Sequence, residues 1–147
     1  IEGACMGAGL EIASCCDIRI AGESAKFGAP IARLGFPMAP REAQIVARAA
    51  GDATVREMLL EAAVLDAAEM KARGFLQRVL RDAAVAEAAA ESAHRIARLA
   101  PQAARMNKRT LRAQHSGKAL PDAYEYAPSD EHREGIAAFL AKRQPAF

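Results

Sequence analysis

Tryptophan is absent from the 147 residues, and all aromatics together make up only 5%. So little aromatic surface argues against a β-sandwich, whose strands draw on aromatic and β-branched residues. Long apolar runs are missing too. None approaches the roughly 18 residues of a membrane-spanning helix, which argues against a membrane protein. Neither sign of charge dominates: the formal charge is +2, too small for a surface built to neutralise many phosphates. Cysteine is scarce, and Cys5, Cys15 and Cys16 all lie near the start without a C-x-x-C pair. Such an odd, clustered set in a helix-rich chain suggests reduced thiols and a cytoplasmic setting. His94, His115 and His132 are scattered without metal-ligand spacing, so these six residues are read as packing or surface positions and no metal is expected. The first residue is Ile and no signal peptide precedes it, so the chain is expected to be an incomplete reading frame.

What is present is alanine. It supplies much of the 52% hydrophobic content, and alanine favours helix. The length is one domain's worth, enough to bury a core. Residues 9–16 (GLEIASCC) read as a short helix entered through a glycine turn, and 17–22 (DIRIAG) as a strand with Ile18 and Ile20 on one face. Residues 26–40, broken by Gly28, Pro30, Gly35, Pro37 and Pro40, read as extended pieces and loop with no room for a helix. Pro40 and Gly51 bracket a helix over 41–50. Asp52 is expected to cap the next helix, with Val55, Met58 and Leu59 on its buried face. A short helix over 67–73 ends at Gly74, and 75–79 (FLQRV) reads as an edge strand.

From Asp82 the pattern is helical. Asp82 is expected to cap a helix to about Leu99, and Pro101 to start another to about Gln114. After breaks at Gly117 and Pro121, Ser129 caps a last helix. Asp130 and Glu131 fall in its first turn, Lys142 and Arg143 in its last, complementing the helix dipole, and Ile136, Phe139 and Leu140 form its apolar stripe. A boundary near residue 80 thus separates a mixed α/β half, 1–80, from an all-helical half, 81–147.

The opening IEGACMGAGLEIASCCD carries the chemistry. Gly3, Gly7 and Gly9 lead into a helix, as in phosphate-binding turns. A dinucleotide site would need an acid some 20 residues on to hold a ribose. Asp17 comes too early, and no acid follows Phe27 until Glu42. The Y-x-x-x-K pair of short-chain dehydrogenases is also missing, since Pro128 follows Tyr124 and Asp130 follows Tyr126 at that spacing. The same physics serves a smaller anion: a backbone N–H at the helix start, here Ala8, can stabilise an oxyanion that forms during reaction. Glu11 lies three residues on, on the same helical face. Donor and carboxylate together suit proton transfer beside a carbonyl; alternatively, Glu11 only complements the first turn of a buried helix.

The motif I-x-G-x-x-x-G-x-G-x-E-I-x-x-x-C-D, followed by a strand and A-x-F-G-x-P, resembles the crotonase superfamily of enoyl-CoA hydratases and isomerases. DIRIAGESAKFGAPIARLGF, AAEMKARGFLQRVL and EGIAAFLAKRQPAF continue the resemblance along essentially the whole chain. It implies an α/β fold, the end of a ββα spiral core followed by a helical C-terminal oligomerisation region that builds trimers, often paired into hexamers. It implies an acyl-CoA thioester as substrate and no cofactor beyond the coenzyme A that the substrate carries. The thioester enolate would lie between two backbone N–H groups, one at Ala8 and one in an N-terminal portion that this sequence does not contain; the 147 residues alone are expected to be inactive. Glu11 becomes the acid/base group, and Gly7, Gly9, Pro30 and Ile31 become acyl-CoA contacts.

The departures matter as much. Ile31 stands where hydratases place a second glutamate, and isoleucine can neither hold a water nor move a proton. FPMAPRE replaces the glycine-rich loop that follows, putting Arg41 and Glu42 where the family has small residues; these either repopulate the site with charge or begin a helix in solvent. Phe139 and Lys142 match positions that touch the CoA nucleotide in relatives, an aromatic on adenine and an ammonium on phosphate, or else serve as core and helix-end charge. Arg105, Lys108, Arg109 and Arg112 form a basic stripe that is read as solvated or subunit-facing rather than RNA-binding. The expected function is hydration of an enoyl-CoA or isomerisation of its double bond through one glutamate. Thioester hydrolysis, decarboxylation, or a non-catalytic binding and oligomerisation role are the alternatives.

Overall fold

A computed structural model describes residues 1–117 and 119–147, apart from the side chains of His115 and Ser116; the reading of His115 falls outside the described side chains. The chain divides into two compact units, 1–89 and 90–147. No helix among the described residues is long and apolar enough to cross a membrane.

The first unit is mixed α/β. Strands β1 (Ala4–Met6), β3 (Lys26–Gly28) and β4 (Val64–Asp66) form one sheet in the order β1-β3-β4. β1 runs parallel to β3 with Cys5 opposite Phe27, and β4 runs antiparallel to β3 with Leu65 opposite Phe27. Phe27 is therefore central, fully buried, and meets Phe75 edge-to-face at 5.8 Å. Helices α1 (Ala8–Ser14), α2 (Pro40–Ala50) and α3 (Asp52–Leu60) bury Leu10 and Ala13, Val46 and Ala50, and Val55 and Met58 in the same core. Pro40 opens α2 and Gly51, at φ 87°, closes it as expected.

Several expectations are corrected. β2 covers only Ile20–Gly22, pairing in parallel with β5 (Arg78–Leu80) in a separate two-stranded sheet. Ile18 lies outside the strand, 49% exposed, while Ile20 is buried, so the two do not share a face. The cause is Arg19: its backbone N–H donates to Gln77 Oε1 at 2.6 Å, its Nε donates to the Phe75 carbonyl at 2.6 Å, and its guanidinium lies 4.6 Å from the Phe75 ring centroid. For the same reason β5 starts late, and Phe75 and Leu76 are buried before the strand begins. Within 26–40, Ile31–Leu34 wind into a 3-10 turn that Gly35 ends in the left-handed region.

Two expected caps are also replaced. Asp52 is the first residue of α3, not its cap, and its carboxylate accepts from Arg56 at 2.7 Å. Asp82 opens a 3-10 turn (Asp82–Ala84) whose cap is Arg81, and its carboxylate accepts the Ser24 N–H at 3.2 Å; the Ser24 hydroxyl first, and this N–H second, hold it below the usual carboxylate range. The short helix α4 (Ala67–Ala72) carries a reciprocal capping box between Asp66 and Glu69 that the sequence reading passed over.

Gly28 fixes how tightly this core closes. A Cβ there would stand 2.9 Å from the Ala63 carbonyl oxygen and 3.1 Å from Met6 Cε. Gly28→Ala is expected to cost about 1–3 kcal/mol of unfolding free energy, since backbone must give way; urea denaturation measures it.

Helix α5 (Val85–Ala97) runs across the boundary between the units. The second unit also holds α6 (Pro101–Ser116) and α7 (Asp130–Leu140). Ser129 caps α7 as expected, its hydroxyl accepting the His132 N–H at 3.2 Å. Lys142 and Arg143 do not lie in the last turn of α7, which ends at Leu140. Lys142 instead takes a left-handed φ of 51°, and Arg143 folds back so that Nη1 and Nη2 donate to Glu134 at 2.6 and 2.8 Å. Glu134 also accepts the Ala146 N–H at 2.7 Å. With Arg143 the larger cause, its carboxyl is pulled from 4.5 down to about 2. A depressed carboxyl stabilises above its unfolded pKa. Stability of the Glu134–Arg143 turn should therefore be full above about 4.5 and lost as pH falls through about 2. An acid titration followed by NMR of the α7 amides checks this, and Glu134→Gln should abolish the dependence.

Candidate active site

The site begins where β1 ends. Gly7 N–H extends the sheet by donating to the Gly28 carbonyl at 2.9 Å, and Gly7 then turns at φ 49° and ψ −117°. A side chain is strained at that φ, so glycine is required by backbone geometry. Directly after the turn Ala8 opens α1, and the Gly7 carbonyl accepts the Glu11 N–H at 3.1 Å. The N–H of Ala8 precedes every residue for which the helix offers an acceptor, and so has no partner within α1. Ala8 and Gly9 are exposed. Glu11 is half-buried, one turn in, and its carboxylate makes no hydrogen bond or ion pair among the described residues.

The turn borders an open cleft of about 340 Å³ lined by Met6, Gly7, Pro30, Ile31, Arg33 and Leu34. Three expected contacts, Gly7, Pro30 and Ile31, thus come together; Ala8, Gly9 and Glu11 follow on from Gly7 but are not part of the lining. Arg33 and Leu34 escape the sequence reading because it gives 31–34 as loop, and Met6 because only the glycines after it carry a motif. The spacing of Pro30 and Gly35, with room between them for one tight turn, is the signal that would have found Arg33 and Leu34. Arg33 Nη2 reaches the Ala62 carbonyl at 3.4 Å, tying this turn to the segment before β4. Cys5, one residue before Met6, is buried, and burial pushes its thiol up, away from nucleophilic use. Cys15 and Cys16 are exposed free thiols.

Glu42 departs from an ordinary helix-start acid. It lies in the first turn of α2, yet α2 has no side-chain cap bond. Its Oε2 is buried without a hydrogen-bond partner in the protein.

Phe139 and Lys142 belong to the second unit. Phe139 is 80% exposed on α7, beside Ile136 and Leu140 at 50% and 74%. Of the basic stripe on α6, Arg109 pairs with Asp122. This unit has its own cleft of about 310 Å³, with Tyr126, His132, Ile136 and Phe147 in its lining. Its Glu131 carboxylate is committed to the Gln102 N–H at 2.7 Å. Among the described residues no group of three or more His, Cys, Asp or Glu could hold a metal ion.

The family model described as enoyl-CoA hydratase/isomerase matches residues 1–147. The chain belongs to the enoyl-CoA hydratase/isomerase family. Over 155 residues it is 34% identical to a protein named probable enoyl-CoA hydratase from Mycobacterium tuberculosis, covering 100% of this chain and 60% of the relative. It is 32% identical to the 2,3-dehydroadipyl-CoA hydratase of Escherichia coli, again covering 100% of this chain and 60% of that one. The crystal structure of an enoyl-CoA hydratase/carnithine racemase from Magnetospirillum magneticum superposes with a TM-score of 0.92 at 39% identity, covering 99% of this chain and 56% of that one. This family member therefore has a mixed α/β crotonase-like fold, and it spans about 60% of the length of the curated relatives it matches.

Proposed function

We propose that the protein processes an acyl-CoA thioester through an enolate, with the Ala8 N–H holding the enolate oxygen and Glu11 as the acid/base group. The observation that carries this reading is the Gly7 turn: it borders an apolar cleft, the exposed Ala8 that follows it has no helical acceptor for its N–H, and Glu11, one turn further on, has no side-chain partner among the described residues. An acyl chain seated in the cleft would displace water from beside the donor, which raises the donor's worth for charge developing on the thioester oxygen. The second oxyanion donor comes from outside these 147 residues.

The reaction is hydration of an enoyl-CoA or isomerisation of its double bond. Ile31 in the cleft lining supports a site in which Glu11 performs both proton transfers of an isomerisation, taking a proton from one carbon and delivering it to another. Hydrolysis of the thioester, decarboxylation, and CoA binding without turnover are the competing outcomes. A panel of enoyl-, acyl- and malonyl-type CoA thioesters assayed with the intact protein separates them, and binding without turnover of any would favour the non-catalytic role. Phe139 and Lys142 meet a CoA nucleotide in this reading, partly across a subunit boundary. The exposed Ile136, Phe139 and Leu140 support self-association as a trimer or a dimer of trimers, which sedimentation measures. Catalysis needs no cofactor beyond the substrate's coenzyme A, nucleic acid is not a partner, and the setting is cytoplasmic.

A further inference from the structure

We propose that Glu42 is the second carboxylate of this site, and that the reaction is therefore addition of water to an enoyl-CoA. The inference rests on the acyl-CoA reading above and adds to it a residue and a choice of reaction.

Ile31 leaves hydration short of one acid. Water must lose a proton as its oxygen bonds to the β-carbon, and the α-carbon must gain one, a task that two carboxylates divide. Glu42 is not in the cleft lining, but the fold brings its helix beside the one that carries Glu11. The chain passes from the cleft's 3-10 turn through Gly35–Ala39 directly into α2, whose first turn carries Glu42. Helices α1 and α2 pack directly on each other. Glu42 precedes the buried Val46 by one helical turn, so it lies on the face of α2 that turns inward. Both helices of this packed pair thus carry an acid in the first turn, Glu11 on one and Glu42 on the other.

Glu42 does not make the bonds that usually hold a first-turn acid. The residue is half-buried, and of its two oxygens Oε2 is buried without a partner among the described residues. A capping acid would bond the helix start, and α2 has no such bond. A paired acid would face a cation, and Glu42 has no ion pair among the described residues. Buried polar atoms without partners are rare in folded proteins and mark places where a role must be sought.

In the step assigned, the Glu42 carboxylate takes a proton from water as the water oxygen bonds to the β-carbon. The π pair moves into the thioester carbonyl, whose oxygen becomes the enolate oxygen at the Ala8 N–H. The enolate then collapses, its electron pair taking a proton from the carboxyl of Glu11 at the α-carbon. One water is consumed, and the proton left on Glu42 returns to Glu11 through solvent.

The test uses the intact protein, with trans-2-butenoyl-CoA as the hydration probe and a 3-enoyl-CoA as the isomerisation probe. Glu42→Gln is expected to lower kcat for hydration by about 10²–10⁴-fold. Its KM should stay within about threefold. Isomerisation, which needs only Glu11, should persist, and the hydration pH profile should lose one limb. Thermal stability should hold or rise, because the substitution keeps the shape of the side chain and removes the charge of a carboxylate with a buried oxygen; Glu42→Asp should restore part of the hydration rate. Hydration by Glu42→Gln within about threefold of the wild type would overturn the inference. So would a joint loss of both activities with a lowered melting temperature, which marks a structural role. A wild type that isomerises but does not hydrate overturns this inference alone. One that turns over neither probe overturns the acyl-CoA reading as well.

Discussion

Glu11→Gln is expected to lower turnover of the preferred acyl-CoA thioester by about 10²–10⁴-fold, the usual worth of a positioned acid/base group. The substitution keeps the shape of the side chain and removes only its ability to exchange a proton. Little of the fold depends on that charge. The carboxylate bonds nothing among the described residues, while the neighbouring Leu10 and Ala13 do the burying. Denaturation midpoints should therefore coincide for the two proteins, and KM should move little, since binding rests on the cleft and the turn. Steady-state kinetics beside urea denaturation check both halves. Turnover within a few-fold of the wild type would remove Glu11 from the mechanism.

The largest stability effect is expected at Phe27. The side chain is fully buried in the middle strand of the β1-β3-β4 sheet, opposite Cys5 and Leu65, with its ring edge-to-face with Phe75 at 5.8 Å. Phe27→Ala should cost about 3–5 kcal/mol, combining lost apolar burial with a cavity that the paired strands cannot close. That is a large part of the ~5–15 kcal/mol by which domains are stable. Phe27→Leu should lose much less. Urea midpoints at unchanged m values measure both. The loss should reach the site too, because β3 supplies the Gly28 carbonyl that holds the Gly7 N–H, and leads directly to Pro30 and Ile31.

Helix boundaries were legible where a single residue dictates backbone geometry. Pro40 with Gly51, Gly74, Pro101, Gly117 and Ser129 all stand where the sequence reading set them, because a missing N–H, a left-handed φ or a capping hydroxyl acts locally. Three-residue strands were not legible, since their limits depend on partners far along the chain. Arg19 and Gln77, 58 residues apart, determine where β2 and β5 begin. The failed caps have the same origin: Arg56 and Ser24 offered Asp52 and Asp82 something other than a helix start.

Of the candidate site, the Gly7 turn and the positions of Ala8 and Glu11 were legible from spacing, with their chemistry supplied by resemblance. Pro30 and Ile31 line the cleft beside Gly7, whereas Arg33 and Leu34 became visible only once the 3-10 turn was. Burial of the Glu42 oxygen could not be read from sequence at all, because a first-turn acid is ordinarily a solvated one.

The central claim is that an enolate forms at the Ala8 N–H with Glu11 moving the proton. Hydrogen exchange at the α-carbon of butyryl-CoA in D₂O tests it most directly, because a saturated thioester can neither hydrate nor isomerise. The wild type should incorporate deuterium at the α-carbon, and Glu11→Gln should not. Absence of exchange in the wild type, or equal exchange in both proteins, would contradict the account.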